Sequence, residues 1–185
     1  MDPREGGSWL QASSKRITLA LNLVPFAGIA FLWFLGVLRD RLGPMEDRFF
    51  ATVFLGSGLM FLGMLFVAAS TMGGLLLAYS AVQGTTFDAP AFDFARAFAG
   101  GIMRIYTFKM AAVFMITTST LVLRTRIAAR WIALLGYASA IAVLIGSGYI
   151  QWVLFVFPAW VLLLSTYILF DNLRRPPRPP ADDAR

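Results

Sequence analysis

Arg104 and Lys109 are the residues in this sequence best placed to do chemistry. They stand five positions apart near the start of an apolar stretch that runs from about Ile102 to Leu123. A cation at membrane depth is costly and usually faces a protein interior or a water-filled cavity, where the lower dielectric strengthens its pull on an anion. The pair therefore suggests an outward-opening pocket for an anionic group. Asp88, Asp93 and Arg96, in the segment just before, could pair with these cations or gate access to them. Five residues place the two side chains about 140° apart around an α-helix, so they share a broad face at best. The plainer reading is that the span starts late and both side chains snorkel to the interface beside Tyr106.

Other polar groups at membrane depth are uncharged. Thr117, Thr118, Ser119 and Thr120 place four hydroxyls in the middle of the same stretch, with Thr118 the candidate for lining a pathway. Most such hydroxyls bond back to their own helix or to a neighbour. Asn22 stands three residues before Pro25 in the first apolar stretch, and an asparagine amide can help satisfy backbone freed by a proline. Pro158 has the same effect late in the chain. Kinks of this kind occur at transporter binding sites but are common in membrane helices generally.

The absences are equally informative. Cysteine and histidine are both missing, which removes disulfides, thiolate nucleophiles, histidine metal sites and Ser-His-Asp catalysis. Gly56-Ser57-Gly58 therefore reads as small residues for helix packing. No carboxylate lies in the middle of any apolar stretch, which argues against a proton-coupled carrier. No phosphate-binding loop, dinucleotide fingerprint or metal-ligand pattern appears, so no cofactor or metal is expected. The net charge of +6 reads as an orientation signal, and no nucleic-acid partner is expected.

The elements that must position these residues are membrane spans. The chain has 185 residues, 58% of them hydrophobic, and a mean hydropathy of +0.71. Uncharged stretches of about 20 residues are long enough to cross the hydrocarbon core as helices. The expected fold is all-α, a polytopic transmembrane bundle with five spans at about 17–38, 49–79, 102–123, 131–146 and 149–170. A polar, interfacial segment at 1–16 precedes it, and a Pro- and Arg-rich tail at 171–185 follows. The uncharged run from Phe49 to Phe87 is long enough for a hairpin at Gly73-Gly74, which would make six spans. Its back half turns polar after Tyr79, favouring one long helix followed by a loop from Gln83 to Asp93, with Gly84 and Pro90 as breakers. The forty uncharged residues from Trp131 to Phe170 are too long for one span and should reverse at Gly146-Ser147-Gly148.

Orientation follows from the basic residues. An external N-terminus puts Arg39, Arg41, Arg48, Arg124, Arg126, Arg130, Arg174, Arg175, Arg178 and Arg185 on the cytoplasmic side, against Arg4, Lys15, Arg16 and Arg96 outside. The C-terminus is then cytoplasmic.

The run from Arg126 through Arg130-Trp131 to Gly136-Tyr137 resembles a stretch of small bacterial multi-span membrane proteins of unknown function. The run from Phe26-Ala27-Gly28 through Arg39-Asp40-Arg41 to Gly43 resembles the same group. The resemblance implies a helical fold in a bacterial cytoplasmic membrane and brings no catalytic residue with it. The functional expectation is a non-enzymatic integral membrane protein acting through lipids, a membrane-protein partner or self-association. The alternative is a small oligomeric channel or carrier for an anionic or amphipathic solute using Arg104 and Lys109.

Overall fold

The computed structural model describes residues 3–42, 48–81, 89–146 and 151–174. Among these the chain is helical throughout apart from a short connector. The helices are α1 (Pro3–Leu42), α2 (Arg48–Ala81), α3 (Ala89–Gly101), α4 (Phe108–Thr125), α5 (Arg130–Gly146) and α6 (Val156–Arg174). A π-helical segment, Ile102–Thr107, joins α3 to α4, and a 3-10 turn, Gln151–Phe155, leads into α6. Four helical runs are long and apolar enough to cross a membrane, at Lys15–Leu42, Phe49–Ala78, Asp93–Thr125 and Trp152–Arg174. With the shorter apolar α5 they form a helical bundle of about five spans.

α2 runs unbroken through Gly73 and Gly74. Glycine lowers helix propensity, but an apolar environment leaves backbone polar groups no partner outside the helix, so continuity wins. The six-span alternative needs a reversal there and has none. α5 ends at Gly146 and the next described element begins at Gln151, so no single helix covers 131–170. The reversal expected at Gly146-Ser147-Gly148 falls mostly on residues outside the described set.

Two expectations change. The loop expected from Gln83 to Asp93 gives way to helix from Ala89 onward. Pro90 is the second residue of α3, where its missing N–H costs nothing and its fixed φ suits the first turn; it starts a helix here instead of breaking one. The N-terminal polar segment is likewise continuous with the first span from Pro3.

α4 is the central element. The run from Asp93 to Thr125 buries 61% of its most apolar window, against 28% for the windows in α1, α2 and α6. A knot of phenylalanines ties four helices together. Phe114 of α4 meets Phe31 of α1 at 5.4 Å between ring centroids and Phe54 of α2 at 5.1 Å. Phe61 of α2 lies 4.7 Å from Phe157 of α6. Such pairs add about 0.5–1.5 kcal/mol each beyond area burial. α5 reaches α4 through Ile132, Ala133, Gly136, Ala140 and Val143, all buried. The small Ala133, Gly136 and Ala140 among them allow the two backbones to approach closely.

Candidate functional site

Arg104 lies inside the π-helical segment, in which the Thr107 hydroxyl donates to the Ile102 carbonyl five residues back, at 3.1 Å. A π turn inserts a residue into the helical repeat, so the angle between Arg104 and Lys109 is narrower than the α-helical value. The structure thus brings the two cations closer to one face than their spacing alone indicates. Both are exposed, as are Ile105 and Tyr106, whereas Ile102, Thr107 and Phe108 are buried. The pair lies on the outward side of the central helix.

Depth can be gauged along the same helix. Arg124 lies twenty residues beyond Arg104, about 30 Å at 1.5 Å per residue, which is one hydrocarbon thickness. With Arg124 at one interface, Arg104 is level with the other, and Lys109 lies about a turn and a half deeper. This is within snorkelling reach.

Thr118 does not converge on this pair. Thr118 is fully buried in the core of α4. Nine residues from Lys109, it sits about 180° around the helix from it. Asn22 is exposed on α1, and Asp93 is exposed on α3. Asp88 lies outside the described residues.

The hydroxyl run divides into two kinds. Thr117 donates to the Val113 carbonyl at 2.9 Å and Thr120 to Ile116 at 2.8 Å, as expected for back-bonding. Thr118 and Ser119 depart from that expectation. Both are buried, and neither hydroxyl has a hydrogen-bond partner. They occupy the side of α4 that packs inward against the core. Thr120 also bonds Tyr137 of α5 at 2.6 Å. Its single proton is directed at Ile116, so the tyrosine is the donor.

At the opposite end of the bundle, an inter-helix clamp escaped the sequence reading. Arg41, in the last turn of α1, donates from Nη1 to the Asp171 carboxylate of α6 at 3.0 Å. Its Nη2 reaches the Ile168 carbonyl at 3.4 Å and the Asn172 side-chain oxygen. Nearby, the Arg124 guanidinium lies 4.4 Å over the Phe50 ring, joining the end of α4 to the start of α2. The available signal was topological: Arg41 and Asp171 flank the first and last apolar stretches on the same predicted side.

Comparison with protein-family models, with curated proteins and with solved structures finds no match. The functional reading therefore rests on the geometry of the chain itself.

Proposed function

We propose that this chain is a non-enzymatic, multi-pass protein of a bacterial cytoplasmic membrane that acts through the surface it presents to lipids and membrane-protein partners, with its C-terminus in the cytoplasm. The observation that carries this reading is the position of Arg104 and Lys109. Both are exposed, Arg104 about one membrane thickness from Arg124 and Lys109 about a turn and a half deeper within snorkelling reach, and they suit contact with phosphate head groups. The absence of histidine and cysteine, together with the lack of any carboxylate between Asp93 and Asp171, supports a non-catalytic role.

A second reading, an oligomeric channel or carrier for anionic or amphipathic solutes, draws support from the π-helical turn that carries Arg104, since such turns are frequent at functional sites. Flux measurements in proteoliposomes separate the two. The proposal expects no anion flux above that of empty vesicles. Robust flux that falls when Arg104→Gln and Lys109→Gln are introduced would establish the transport reading in its place.

A further inference from the structure

Arg126 has φ 55° and ψ 30° and is the one non-glycine residue with positive φ among the described residues. It caps α4 in the left-handed region, its backbone N–H bonding the Val122 carbonyl at 2.9 Å. Glycine is the usual occupant of such a cap because it lacks the Cβ that makes this conformation costly. An arginine held there is an outlier of the kind that points toward function.

The surroundings indicate what that function is. Arg126 and Arg130 are both exposed; Arg126 opens the four-residue connector between α4 and α5, and Arg130 is the first residue after it. No Asp or Glu occurs anywhere from Phe94 to Phe170, so neither arginine has an acidic neighbour on its own hairpin. The Asp171 carboxylate on α6 is engaged by Arg41. Trp131 follows Arg130 and is 54% exposed, as suits an interfacial tryptophan. Below it, Leu134, Leu135, Ala138, Ile141, Ala142 and Ile145 are all exposed. Their three- and four-residue spacing makes one continuous apolar stripe down α5. α5 has 17 residues, so it spans only about 26 Å, and the arginines at its start lie close to the hydrocarbon boundary.

We propose that Arg126 and Arg130 seat the phosphate of an anionic phospholipid, with Trp131 at the head-group level and the acyl chains lying along the exposed stripe of α5. Charge complementarity selects the head group, and the stripe beneath selects a lipid over a soluble anion. Guanidinium groups suit a phosphate because their fork of donors can bind two oxygens at once. The site deepens the proposed function by naming the class of lipid, and it rests on that reading.

The test uses the full chain reconstituted in phosphatidylcholine vesicles, with and without phosphatidylglycerol, then extracted gently so that the retained phospholipids can be counted by head group. Each basic residue near an anionic surface is worth about a fivefold change in affinity. The wild type should be enriched in phosphatidylglycerol relative to the bulk. Arg126→Gly and Arg130→Gln should each lower the preference about fivefold, and the double variant about 25-fold. Glycine suits the left-handed cap, so Arg126→Gly removes the charge without straining the fold. Arg96→Gln, on α3, should leave the preference unchanged.

Four results would overturn the proposal. The first is a wild type with no preference, and the second is a folded double variant that keeps it. The third is equal displacement of the lipid by inorganic phosphate, which would mark a site for the free anion. A dimer that covers α5 and excludes lipid would also contradict it. Anion flux through the wild type would instead overturn the proposed function while leaving the lipid preference standing, so the two fail separately.

Discussion

Arg41 shows how a single side chain can hold two distant parts of the chain together. Its guanidinium satisfies a carboxylate, a backbone carbonyl and a side-chain amide of α6 from the last turn of α1. Hydrogen bonds to charged groups are worth about 1.5–3 kcal/mol each, so Arg41→Ala should destabilise the bundle by a comparable amount. Asp171→Asn should cost less, because a neutral acceptor remains. Reversible unfolding in mixed micelles would measure both, and an unchanged stability for Arg41→Ala would show that the clamp contributes nothing. Gly136 is a contrasting case of tight packing. A Cβ there would lie against the Ser119 hydroxyl and 2.8 Å from Trp160 Nε1, both buried, so Gly136→Ala should cost about 1–3 kcal/mol. Gly28→Ala should cost under about 1 kcal/mol, even though its Cβ would come within 2.5 Å of Phe66 Cζ, because that ring is partly exposed and can swing away. At Thr118 the hydroxyl is buried without a partner, and valine keeps its shape without the polar atom. Thr118→Val should therefore raise stability by about 1 kcal/mol, and a loss in the same unfolding assay would show that the hydroxyl has a partner when in the membrane.

At the scale of elements, what was legible in the sequence was whatever hydrophobicity and charge determine directly. The continuity of α2 was visible because the back half of its uncharged run is short and turns polar after Tyr79, leaving too little apolar chain for a second span, and the interruption between α5 and α6 followed from length alone. The start of α3 was not legible because a proline such as Pro90 suits the first turn of a helix as well as a loop, and only the helix that follows distinguishes them. The π turn at Ile102–Thr107 was not legible because it adds one residue to the repeat in a stretch apolar on most sides, where a change of period leaves no trace. The clamp was hidden for a different reason, since Arg41 and Asp171 are 130 residues apart and only the packing of the first and last spans brings them together. The resulting arrangement has a topological consequence. Arg126 and Asp93 lie at opposite ends of the run from α3 to α4, so single cysteines at these positions should label from opposite sides of the membrane. The native chain has no cysteine, and the background is therefore silent. Position 93 should react from outside in intact cells and position 126 only after permeabilisation; the reverse pattern would invert the proposed orientation.

Taken as a whole, the molecule concentrates its contacts on α4 and leaves broad apolar sides on the helices around it. Trp33 and Phe26 of α1, Leu77 of α2, and Trp152 of the turn leading into α6 are all strongly exposed. A surface of this kind is suited to lipid, and the exposed cations Arg104, in the π-helical segment, and Lys109, at the start of α4, are the feature that could contradict the reading. If Arg104 and Lys109 instead lined a water-filled vestibule, the same exposed positions would face solvent through the depth of the bilayer. Spin labels on single cysteines at positions 104, 105, 106 and 109, reconstituted in vesicles, distinguish these surroundings by their collisions with a water-soluble relaxation agent and with oxygen, which partitions into lipid. The account predicts that the polar reagent reaches position 104, at the head-group level, and that accessibility shifts toward oxygen by position 109. Equal access of the polar reagent to positions 104 and 109 would place a water-filled cavity beside both cations and contradict the lipid-facing account.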